Sequence, residues 1–157
     1  MKKMLFVSLL ATLMLISFSC KKSDSTNTST TTSFSAKVYG STWTAATVTA
    51  VRLASVNSMT ITALGSNPSE TITMGFTASG TGTYTFSTEG NLAYVSIGGH
   101  SFMTITGGST SNQVTITTFD VTNKRISGTF SFDGMDTNYI VYHVTDGSFQ
   151  NVPMTIQ

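Results

Sequence analysis

His100 and His143 are the only imidazoles in this chain. His143 follows Tyr139 and Val141 at strand spacing, with Asp146 just beyond it. A His–Asp pair can relay a proton or hold a metal, but a single imidazole on a sheet face usually does neither. We read His143 as an ordinary sheet histidine and His100, after Gly98-Gly99, as a loop residue. The chain has one cysteine, Cys20, so a structural zinc cluster has no thiolates to build on. Hydrolase and nucleotide signatures are missing from Phe34 onward: there is no G-x-S-x-G elbow, S-x-x-K, H-E-x-x-H or phosphate loop. Asp133, Asp136 and Asp146 stand beside turn signals, where carboxylates cap turns. Asp133-Gly134-Met135-Asp136 does not match the calcium-loop pattern. The expectation is no catalytic residue, no metal and no cofactor.

The aromatic residues are better candidates for binding. Trp43 is the only tryptophan, and its flat ring could stack on a sugar or anchor the core. Core is the reading we adopt for Trp43. A ligand-binding set would draw on Trp43, Tyr39, Tyr94, Tyr139, Tyr142 and His143. From Phe34 onward, Lys37, Arg52, Lys124 and Arg125 face Glu70, Glu89, Asp120, Asp133, Asp136 and Asp146. No basic stripe forms, so nucleic acid is excluded as a partner.

The elements that must position these residues are strands. Met59, Ile61 and Ala63 alternate with threonines, as do Ile72, Met74 and Phe76, and Val114 and Ile116. Ile126, Gly128, Phe130 and Phe132 alternate with Ser127, Thr129 and Ser131. Turn signals such as Tyr39-Gly40, Gly98-Gly99, Asp133-Gly134 and Asp146-Gly147 punctuate the runs. About ten short strands with tight links predict an all-β fold, an antiparallel β-sandwich, with a small closed β-barrel as the alternative. A register change at Phe119-Asp120-Val121 predicts a bulge or a strand end.

The N-terminal segment differs. Lys2 and Lys3 precede an uncharged apolar run from Met4 to Phe18, which ends in Ser17-Phe18-Ser19-Cys20. Such a run suits a signal-peptide core and is short for a spanning helix of roughly 20 residues. The segment resembles the lipobox of bacterial lipoproteins, with Ser17 where that box usually has Leu. The resemblance implies a signal peptide over 1–19, lipid on Cys20 and membrane attachment through that anchor. Lys21, where inner-membrane lipoproteins typically carry Asp, implies the outer membrane, with periplasmic or surface orientation open. Residues 20–33 then read as the lipidated cysteine and a Ser/Thr tether, with nothing apolar to bury. The domain is expected over 34–157.

Within that domain the opening Phe34-Ser35-Ala36-Lys37-Val38-Tyr39-Gly40, followed by Trp43-Thr44-Ala45, recurs as a recognisable pattern. So do Ile126-Ser127-Gly128-Thr129-Phe130-Ser131-Phe132 and Gly147-Ser148-Phe149. Together they resemble a family of small envelope lipoproteins classed as a domain of unknown function. That resemblance implies fold and location, and brings no catalytic residue. The functional expectation is a non-catalytic module that binds a glycan, a peptide or an envelope protein. The alternative is a carrier or sensor of a small apolar ligand in a barrel cavity, and a hydrolase ranks last.

Overall fold

Threonine alternating with Ile, Val, Met or Phe fits a strand with one face dry and one wet, and the structure uses the pattern that way. The computed structural model describes residues 31–86, 90–105 and 112–157. The expected signal segment and Cys20 lie outside the described residues. The strands are β1 (Ser33–Val38), β2 (Ser41–Thr44), β3 (Thr47–Leu53), β4 (Ser58–Leu64), β5 (Thr71–Thr77) and β6 (Gly82–Thr85). They continue as β7 (Leu92–Ile97), β8 (His100–Thr104), β9 (Gln113–Asp120), β10 (Arg125–Met135) and β11 (Val141–Ile156). Ser33 already pairs with Gln150, and the Thr32 hydroxyl donates to the Asn151 carbonyl, so the folded part starts slightly inside the expected tether.

All strands join one 11-stranded sheet in the order β2-β1-β11-β3-β4-β5-β7-β8-β10-β9-β6, and an added β10–β11 pairing closes a ring. The two long strands make this possible by changing partners. β10 pairs with β9 from Arg125 to Ser131 and with β8 at Gly134 and Met135. β11 pairs with β1 from Val144 to Gln150 and with β3 from Met154 to Ile156. One layer is therefore β6-β9-β10-β11-β1-β2 and the other is β3-β4-β5-β7-β8, with β10 and β11 shared. This architecture is consistent with both a sandwich and a barrel.

One pairing departs from the antiparallel expectation: β11 and β3 are parallel. β1 runs against β11 and β2 against β1, so β2 runs with β11. Ala45-Ala46 makes no hairpin turn: the Ala45 N–H donates to the Phe34 carbonyl and the Ala46 N–H to the Leu64 carbonyl, so β3 continues in the same direction and passes to the other layer. The register change near Phe119 is the end of β9 at Asp120.

Bulges and glycines bend the long strands. Thr145 and Asp146 bulge opposite Ser131, with Asp146 at φ 51. A second bulge lies at Asn151, whose N–H donates to the buried Ser127 hydroxyl at 2.8 Å. Gly128 pairs with Phe149, and Phe130 with Gly147. A Cβ on Gly128 would come within 2.7 Å of the Phe149 ring, and one on Gly147 within 2.6 Å of the Phe130 ring. Each glycine thus lets the opposing phenylalanine lie flat across it. Phe34 packs on both rings, with centroids at 5.1 Å to Phe130 and 6.4 Å to Phe149, and meets Trp43 edge-on. Phe34, Ala36, Val38 and Trp43 are all buried. The patterned residues of the sequence are therefore core pieces.

Candidate functional site

Where β10 leaves β9 for β8, backbone groups lose their strand partners. Asn112, 2% exposed, fills that gap. Its Oδ1 accepts from the Asp133 N–H at 2.7 Å, and its Nδ2 donates to the Ile105 carbonyl at 3.3 Å. Beyond this point the β8–β10 ladder holds only Thr104 with Gly134 and Met103 with Met135, while β8 extends back to His100. β10 stops at Met135 because Asp136 starts the turn to β11. The Asp136 Oδ1 accepts from the Asn138 and Ile140 N–H groups at 2.8 and 2.9 Å.

The splayed seam leaves a groove of about 680 Å³ on the outer face, within the size range of ligand pockets. Tyr94, Met103 and Met135 form one row across β7, β8 and β10 and make its walls with Asp136. Phe102 lines it from the inner side, its ring lying over Gly134, where no Cβ intervenes. Met103 is 54% exposed. Among the described residues, no lysine or arginine lines the groove.

Next to the groove, three turns bring aromatic rings together. Tyr39 follows β1, His100 opens β8 and Tyr142 sits at the start of β11. Tyr39 lies 5.5 Å from His100 and 5.2 Å from Tyr142, and Phe102 stacks on Tyr142 at 4.9 Å. The Tyr142 hydroxyl donates to Asp136 at 3.2 Å. Desolvation, then Asp136 itself, raises the Tyr142 pKa, so the hydroxyl keeps its proton and stays a donor. The Ile140 N–H is the main cause of a lowered Asp136 pKa, outweighing desolvation, with Asn138 and Tyr142 adding to it.

This shift makes the turn pH-sensitive. A carboxylate whose folded pKa is depressed stabilises above its unfolded pKa of about 3.9, and that stability is lost as pH falls through the folded value. Melting curves should therefore show wild type more stable than Asp136→Asn near neutrality, with the gap narrowing below about pH 4. A gap that stays constant down to about pH 2 would count against this role.

The other sequence candidates fall elsewhere. Trp43 is 9% exposed, and its indole N–H donates to the Glu70 carboxylate at 3.0 Å, so it serves the core and offers no sugar platform. Tyr139 stands 80% exposed in the β10–β11 turn. His143 pairs with Asp133, its register partner, at 2.6 Å and not with Asp146. Asp146, turned by the bulge, pairs with Lys37 at 2.8 Å. Among the described residues, no group of three or more His, Cys, Asp or Glu could hold a metal ion.

The model of one family, described as a domain of unknown function (DUF6252), matches residues 30–153. The chain belongs to the DUF6252 family. No curated protein and no solved structure matches it. In this DUF6252 domain, sequence reasoning placed Tyr39, Tyr94 and Tyr142 among the candidates, and the structure sets them around one groove and its rim. It missed Phe102, Met103 and Met135 as lining residues, and read Asp136 only as a turn cap, which it also is. Phe102-Met103 carried a signal, because adjacent apolar residues in a strand must send one side chain to the outer face.

Proposed function

We propose that this chain is an envelope lipoprotein, lipidated on Cys20, whose β domain is a non-catalytic binding module. The groove at Tyr94, Met103, Met135 and Asp136 takes a peptide segment with an apolar face. The observation that carries this reading is an exposed methionine–aromatic groove beside an ionised carboxylate, with no cation among the described residues that line it. Methionine and tyrosine adapt to varied apolar partners, and the lone carboxylate favours neutral or cationic ones. The groove opens outward, which suits part of a larger partner. Met59, Ile61, Met74, Phe76 and Phe132 fill interior positions, so the structure lends the barrel-cavity carrier less support.

The placement of the tether agrees with this. The N-terminal segment joins β1 at Ser33, and Tyr39 follows the other end of that strand, roughly 20 Å away. The aromatic rim thus lies at the opposite end of β1 from the point where the N-terminal segment joins it.

Selection of peptides from a random display library on the full chain tests the reading. Enriched peptides should combine aromatic or aliphatic with basic residues, and Met103→Glu should weaken them about tenfold or more. Because Met103 is exposed, the variant should keep its melting temperature. No enrichment, or binding indifferent to Met103→Glu, would remove the groove from consideration.

A further inference from the structure

The layer on the far side of the shared strands carries an ordered set of hydroxyls. Thr83 pairs with Thr115, Thr115 with Thr129, Thr129 with Ser148, Ser148 with Ser35 and Ser35 with Thr44. That is one unbroken row of hydroxyl side chains across β6, β9, β10, β11, β1 and β2. Two neighbouring pairs touch: the Thr83 and Thr115 hydroxyls lie 2.9 Å apart, and those of Ser35 and Ser148 3.3 Å. A second row runs from Thr85 through Gln113 and Ser131 to the bulge at Thr145, and on to Lys37 and Thr42. None of these side chains is buried. A groove of about 450 Å³ lies between the Thr129–Ser131 and Thr145–Ser148 segments, at the bulge of Thr145 and Asp146.

The outer face of the opposite layer lacks this regularity. Its rows are interrupted by Leu64, by Val51 and Leu92, or by Tyr94 and Met103. A strand needs no hydroxyl outside, since valine is as good a strand former. The charge pattern narrows the ligand. Lys37 and Asp146 neutralise each other at 2.8 Å, and neither row holds another charged side chain. An acidic polymer finds no free cation in these rows, and a basic one finds no free carboxylate. Hydroxyls both donate and accept, and neighbouring strands repeat them at about 4.8 Å.

We propose that this face is a second binding site, for a neutral glycan chain lying across the strands in the groove at the Thr145–Asp146 bulge. It rests on the reading of the chain as a binding module, but on a different face from the methionine groove, so the two can fail separately. Sugar hydroxyls would exchange hydrogen bonds with Thr115, Thr129, Ser131 and Ser148, whose side chains stand on this outer face.

Affinity electrophoresis of the full chain in mild detergent tests this, with dextran, laminarin, xylan or galactomannan in the gel and acidic alginate as control. At least one neutral polysaccharide should retard the chain. The double variant Thr115→Val/Thr129→Val should weaken that retardation about tenfold, and Met103→Glu should leave it intact. Thr83→Val with Ser148→Ala, at other positions of the same row, should act in the same direction and guards against a folding defect in the first pair. The proposal is overturned if no neutral polysaccharide retards the chain, if retardation survives both double variants, or if alginate alone retards it.

Discussion

Gly128→Ala should destabilise the domain by about 3 kcal/mol, read as a fall of roughly 10 °C in melting temperature. The added methyl has no free space. It would collide with the Thr115 carbonyl, which is backbone held in the β9–β10 ladder, and with the Phe149 ring. Phe149 is fully buried and stacked against Phe34, so its ring cannot swing away without opening the core. Gly147→Ala should behave similarly, because the Phe130 ring and carbonyl occupy the matching position. Combining Gly128→Ala with Phe149→Leu should recover part of the loss, since one clash is with a side chain. The carbonyl clash would remain, and the double mutant should show coupling between the sites. Urea or thermal melts decide the matter. A Gly128→Ala protein melting with wild type would mean that β9 and β10 shift freely here, contrary to the register.

Cys20→Ala should abolish lipid labelling and move the chain from the membrane fraction to the soluble one. This follows from the proposed anchor, and the expected effect is all-or-none. The chain has no second thiol to accept an acyl chain. Each buried CH₂ contributes about 0.8 kcal/mol, so losing two or three chains leaves nothing of comparable strength in the polar segment that follows. Metabolic labelling with a clickable fatty acid checks it on one blot. Label that persists in the mutant would end the lipoprotein reading, while the binding proposals for the β domain would stand on their own tests.

The two proposed sites differ in polarity although both lie on outer strand faces. The reason is the change of partners by the long strands. Where β10 and β11 remain fully paired, the outer face is a regular lattice of hydroxyls. Where β10 turns away at Asp136, the ladder opens and apolar side chains reach solvent. Met103 and Met135 are register partners at the last rung before that opening.

Local sequence determined the strands and their inner faces. Ile61, Ile72, Met74, Val114, Phe130 and Phe132 alternate with threonine or serine, and every one of them is buried. Gly40, Gly98 and Gly99 lie in turns at positive φ, where glycine carries little steric cost. These features are legible because alternation and turn chemistry act between near neighbours. Which strands meet is another matter. The parallel β11–β3 contact and the Gly128–Phe149 exchange join residues well separated in the chain. Alternation shows that a side chain points inward or outward, but not what it will face. That depends on register and strand order, which are set by how the whole core packs. Tyr39, His100 and Tyr142 therefore read as scattered aromatic residues in the sequence, and only the closure of the ring brings them to one rim.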